Sequence, residues 1–142
     1  MNPILIETYS HTGEGYNPFF IKDNWQVAQL NYMQAQDIFA IEKMDKHEQT
    51  DEVFILLKGT AVLIAADEHT TGFAFQCTHL KPGITYNIPV NVWHNIAMEK
   101  DTEMIIVEKS NTHLGDCVYK ALSQQEKSEL NKQIRNTLNQ SK

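Results

Sequence analysis

Apolar and polar residues alternate with a period of two along most of this chain, the spacing that turns one face of a β-strand to a core and the other away from it. Short runs of this kind are "ILIETY" (4–9), "WQVAQLNY" (25–32), "DIFAIEKM" (37–44), "VFILLK" (53–58), "TAVLIAA" (60–66), "GFAFQCTHL" (72–80), "TYNIP" (85–89), "WHNIAM" (93–98), "EMIIVEK" (103–109) and "DCVYK" (116–120). Turn-forming residues punctuate them, as in "HTGEGYNP", "KPG" and "SNTHLG", because Gly, Pro, Asn and Asp suit the backbone conformations of reversals. Many short strands at this spacing predict an all-β sandwich or barrel. The period changes near the C-terminus, where Leu130, Ile134 and Leu138 recur every four residues. Ser123 is followed three residues later by Glu126, the pairing of a capping box. An amphipathic helix is expected over 123–138, packed on the barrel exterior or on a neighbouring subunit. No repeat or linker interrupts the pattern, so residues 1–142 read as a single domain.

Composition narrows the partners. At 42% hydrophobic and 21% charged residues the chain is of ordinary globular type. Its net charge is −6 and its twelve basic residues are scattered except near the C-terminus, which argues against a nucleic-acid partner. The start, "MNPILIETYSHTGEG", has neither a basic opening nor an apolar run long enough for a signal peptide or membrane span. A cytoplasmic location, with no membrane partner, is the expectation. Cys77 and Cys117 form no CxxC motif and read as buried small hydrophobes in a reducing compartment rather than as a disulfide.

Candidate chemistry gathers in "MDKHEQTDEVFILLKG" (44–59). Charged groups are costly to bury unless paired or bound to a metal, so Asp45, His47, Asp51 and Glu52 ahead of an apolar strand are either a solvated turn or a site. In a strand, turn, strand reading, Asp45 and His47 point to one side, and a hairpin reversal brings Glu52 opposite His47. Phe54 and Leu56 share the face of Glu52; Val53, Ile55 and Leu57 take the other. Asp51 alternates away from Glu52 as a solvated turn residue. In "KPGITYNIPVNVWHNIAM" (81–98), His94 likewise begins a strand just after a tight turn. Two such hairpins facing across a small barrel would gather Asp45, His47, Glu52 and His94 into one pocket. His11, His69, His79 and His113 lie outside this arrangement and carry no assigned chemistry.

These two segments resemble the paired motifs of the cupin superfamily. The first motif runs Gly, five residues, His-x-His, three or four residues, Glu, six residues, Gly; here stand Asp45-x-His47, four spacers, Glu52, six residues and Gly59. The second runs Gly, five residues, Pro-x-Gly, two residues, His, three residues, Asn; here stand Gly83, Pro89-x-Asn91, His94 and Met98 at matching spacing. The departures are Phe39 and Asn91 for glycines, Met98 for the closing Asn, and Asp45 for the first His of the pair. The resemblance implies a cupin-like double-stranded β-helix, or jelly-roll barrel, with a C-terminal helix. It implies a divalent metal held by His47, Glu52 and His94, with Asp45 as a fourth ligand or as a carboxylate orienting His47. Two imidazoles and one or two carboxylates suit Fe, Mn, Zn or Ni. Phe54, Tyr86, Trp93 and Met98 are candidate pocket residues, although such residues at strand spacing are commonly core. The implied function is a metal-dependent enzyme of isomerase, epimerase, lyase or dioxygenase type acting on a small polar metabolite; the alternative is a non-catalytic sugar- or metabolite-binding module. A homodimer is expected through the apolar outward faces of "VFILLK" and "EMIIVEK".

Overall fold

Alternation becomes sheet structure wherever a neighbouring strand is available to pair. The computed structural model describes residues 2–141, and its strands form two five-stranded sheets. The first has the order β1 (Gly15–Lys22), β2 (Trp25–Asn31), β9 (Glu103–Glu108), β4 (Glu52–Lys58), β7 (Thr85–Ile88). The second has the order β10 (Val118–Ala121), β3 (Lys43–Lys46), β8 (Trp93–Met98), β5 (Ala61–His69), β6 (Gly72–His79). The strand pairs are antiparallel. A 3-10 turn between β2 and β3 (Gln34–Gln36), a four-residue helix, α1 (Thr112–Gly115), and a long one, α2 (Gln124–Gln140), complete the order.

Two cores follow from the two faces of the second sheet. Its inward residues Ala61, Leu63, Ile96 and Met98 meet Leu30, Phe54, Leu56, Met104 and Ile106 of the first sheet, making the barrel interior. Its outward residues Val62, Ile64, Ala66, Trp93 and Ala97 meet Leu130 and Ile134 of α2. This explains why every residue of β8 is buried, the polar His94 and Asn95 included: the strand is covered on both faces. The predicted helix stripe is therefore turned onto the barrel exterior, with Leu138 packed at its edge. Ser123 Oγ accepts from Glu126 N, and Glu126 Oε1 accepts from Ser123 N at 2.9 Å, so the capping box forms as expected.

Some sequence expectations fail. Residues 4–9 are not a strand, and Ile4, Leu5 and Ile6 are 83, 85 and 84% exposed. Their pattern suits a strand, but the edge of the first sheet is taken by β1. That strand was hidden inside the turn-like "HTGEGYNP": Pro18 falls at a break in the β1–β2 register, on an edge strand where its missing N–H is tolerated. The run 37–44 forms a strand only from Lys43, while Ile38 and Ile41 serve the outer core. The outward face of β4 is half-exposed, with Leu57 at 48%.

Candidate metal centre

The two motif turns are not hairpins. β3 and β4 lie in different sheets, as do β7 and β8, so each turn carries the chain across the mouth of the barrel. His47 follows the end of β3, and Glu52 opens β4. The turns are bound to each other: Asn91 N donates to His47 O at 2.7 Å, and the Asp51 carboxylate accepts from Val90 N at 2.8 Å and Asn87 Nδ2 at 3.1 Å. Asp51 is thus exposed, as expected of a turn residue, but it also fastens one motif to the other. Asn91 stands at φ 68°, a left-handed conformation that Asn tolerates where the motif has Gly. Gly59, at φ 94°, admits no side chain, since a Cβ would lie 2.6 Å from Thr102 Cα.

At the barrel mouth, His47 Nε2 lies 3.0 Å and His94 Nε2 2.8 Å from the same oxygen, Glu52 Oε2. All three residues are buried. His94 Nδ1 faces Val92 O at 2.9 Å and His47 Nδ1 faces Asp116 O at 2.5 Å. A carbonyl oxygen can only accept, so each Nδ1 carries its proton and, in a neutral ring, each Nε2 presents a lone pair. The Asp116 carboxylate also accepts from Glu48 N and Gln49 N at 2.8 and 3.0 Å. One residue therefore holds both the ring and the backbone of the His47 turn. Three acceptors then converge on one point, a contact that only shared protons or a cation can satisfy.

The titration of the cluster reflects this. Burial opposes charging of His47, but the Cys117 thiol and Glu52 outweigh it and raise the imidazole to about 11. Burial also works to raise Glu52, yet the two histidines hold it down at about 2. His94 is raised as well, Glu52 outweighing burial. For a cation, ligand distances of about 2.0–2.2 Å place adjacent donors roughly 3 Å apart. The observed 3.0 and 2.8 Å spacings match that geometry, and the ligand atoms of His47, Glu52 and His94 all lie within 4.8 Å of one another. The residues present fit a divalent ion.

A cavity of about 910 Å³ opens beside the cluster. Asp45 lines it, paired in register with His94, and its Oδ1 is buried with no hydrogen-bond partner among the described residues; burial raises its carboxyl. Asp45 is not one of the three residues whose donor atoms converge. Of the predicted pocket residues, Phe54 lines this cavity. Tyr86 instead packs beside the inner core with its hydroxyl accepting from Lys81 N, Trp93 faces α2 in the outer core, and Met98 lies in the inner core.

Sequence reasoning missed a second buried carboxylate, Glu108. It lines the cavity with Tyr16, His113, Cys117 and Tyr119. Burial and the neighbouring Glu52 raise its carboxyl to about 7. The signal was present in "EMIIVEK": Met104 and Ile106 set the inward face of β9, and Glu108 continues it. His113, given no chemistry from sequence, sits at the cavity wall with Nδ1 3.3 Å from Gln26 Nε2. Cys77 and Cys117 are half-buried and unpaired. No helix among the described residues is long and apolar enough to cross a membrane.

No protein-family model matches this chain, and no curated protein matches it. Solved structures do. A cupin-2 domain containing protein from Shewanella frigidimarina aligns with TM-score 0.51 and 20% identity over 70% of this chain and 84% of its own. KdgF from Halomonas sp. aligns at 0.51 and 16% identity over 68 and 77%. A cupin superfamily protein from Desulfitobacterium hafniense aligns at 0.51 and 18% identity over 72 and 84%. At these identities the likeness is one of fold, and the fold is the cupin β-barrel.

Proposed function

From a cupin barrel whose mouth gathers His47, Glu52 and His94, we propose that the protein binds a divalent cation through these side chains and acts on a small polar metabolite in the adjoining cavity. The reading is of a metal-dependent isomerase, epimerase, lyase or dioxygenase. One observation carries it: both Nδ1 protons are committed to carbonyl oxygens, so once the Nε2 protons are displaced two imidazole lone pairs meet one carboxylate oxygen within 3.0 Å. A cation satisfies all three. Two imidazoles and a carboxylate suit iron, manganese, zinc or nickel. Such an ion, when bound, supplies Lewis acidity toward a carbonyl or hydroxyl oxygen, or a redox centre if it is iron.

The chain's own residues do the rest. Leu30, Phe54, Ile96 and Ile106 form an apolar wall that limits water. Gln36, whose Oε1 is buried without a partner among the described residues, offers an acceptor to a ligand hydroxyl. Asp45 and Tyr119 face the same space and are groups able to hold or move a proton at a bound molecule. The test is elemental analysis of the untagged native chain beside His94→Ala. Near-stoichiometric metal that disappears in the variant is expected; a native chain that takes up no metal even on reconstitution would remove the reading.

A further inference from the structure

We infer that Glu108, rather than Asp45, supplies the second carboxylate of the cation site, binding through Oε2. The inference rests on the reading of His47, Glu52 and His94 as cation ligands. The register of β4 and β9 sets Glu108 directly opposite Glu52, and the side chain is 3% exposed.

Its two oxygens are treated differently. Oε1 accepts from Tyr16 Oη at 2.5 Å and from Gln26 Nε2 at 3.3 Å. Gln26 Oε1 in turn accepts from Asn111 N at 2.8 Å, which fixes the amide with its donors toward Tyr16 and Glu108. Oε2 has no hydrogen-bond partner among the described residues, although it is buried, and it lies 3.9 Å from His47 Nε2. A carboxylate oxygen left bare in a low-dielectric interior is costly. Here every neighbouring donor is directed at the other oxygen, which presents Oε2 toward the histidine cluster. Donor atoms on opposite sides of one ion lie about 4 Å apart, close to the 3.9 Å between Glu108 Oε2 and His47 Nε2. Glu108, like Asp45, lies outside the group whose ligand atoms all fall within 4.8 Å of one another, so its side chain must move inward to bind.

Asp45 also has a bare oxygen, but no ion pair within 4.0 Å joins it to either imidazole among the described residues. Its backbone lies in the second sheet beside His94. Two carboxylates with two neutral imidazoles would balance the charge of a divalent ion in a buried site. That donor set is harder than the three resident donors alone and favours manganese or iron(II).

The experiment uses Co(II) as a spectroscopic probe on the metal-stripped full chain, comparing the native protein with Glu108→Gln and Asp45→Asn. The native chain should bind Co(II) with visible ligand-field bands. Glu108→Gln should weaken binding by about tenfold or more and change the band positions or intensities. Asp45→Asn should leave the spectrum as it is. A Glu108→Gln protein with native affinity and native bands would overturn the inference while leaving the three-ligand reading intact. A native chain that binds no Co(II) would overturn both, and shows itself before any variant is made. Should Glu108→Gln fail to fold, a crystal structure of the Co(II)-loaded native chain decides the matter. Glu108 Oε2 at about 2.2 Å from the ion is expected, and an ion without this contact would overturn the inference.

Discussion

His47 and Glu108 hold protons in the metal-free folded protein that the unfolded chain would release, and this sets an unusual dependence of stability on pH. His47 is raised from 6.5 to about 11, so its contribution is complete below pH 6.5 and is lost as pH rises toward 11. Glu108, raised from 4.5 to about 7, keeps its proton where the unfolded state has lost it, so stability falls from pH 4.5 to 7. Glu52, lowered to about 2, contributes above pH 4.5 and loses that contribution as pH falls through 2. The signs combine into a stability maximum near pH 4.5, acid of the usual range. Calorimetry in chelator at pH 5, 7 and 9 should show a steadily falling melting temperature; a rise from pH 5 to 7 would contradict the assignment. A metal bound at this cluster would displace these protons, so the stabilisation it adds should grow over the same interval. The histidines and the glutamate of the cluster were legible because their spacing is local to two turns. Glu108 was not, because its partner Glu52 reaches it only through the β4–β9 register.

Among the elements, α2 shows how a local signal acquires a distant role. Ser123 and Glu126 form the capping box that the sequence announces, but Glu126 Oε2 also accepts from Phe73 N at 2.8 Å, fastening the helix start to the β5–β6 reversal. Ser123→Ala should lower unfolding free energy by about 1 kcal/mol. Glu126→Ala should cost more than that, since it strands two backbone N–H groups in two elements. Urea unfolding of both variants measures the difference, and equal losses would show that the Phe73 contact contributes nothing. The helix could be read directly because period and cap are local. β1 could not, because Pro18 and two glycines signal a turn, and only the vacant edge of β2 makes a strand of them. The opposite holds for 4–9, whose apolar run found no strand to pair with.

Across the whole molecule, the two sheets are covered unequally. The second is shielded by α2, whereas the first turns Val27, Val53, Ile55, Ile105 and Val107 outward, all half-buried, beside exposed Leu57. Ile55 and Ile105 are cross-strand partners at the centre of that face. A face of this kind is suited to a second copy of the chain, and we expect a homodimer sealed there. Sedimentation equilibrium should give twice the chain mass for the native protein and the single mass for Ile55→Glu with Ile105→Glu. A native chain of single mass at micromolar concentration would exclude this interface.

By itself the sequence determined whatever depends on short-range spacing: the two-residue period of the strands, the four-residue stripe and cap of α2, and the placing of His47, Glu52 and His94 beside turns. The tertiary structure alone decided which sheet each strand joins, and with that which polar residues meet. Because most consecutive strands cross between sheets, Asp116 comes to hold His47, and Tyr16 and Gln26 come to hold Glu108; helix α2 on the outer face of β8 gives Trp93 a core separate from that of Met98. Spacing along the chain constrains the face on which a side chain lies; only the pairing of distant strands determines what that face will touch.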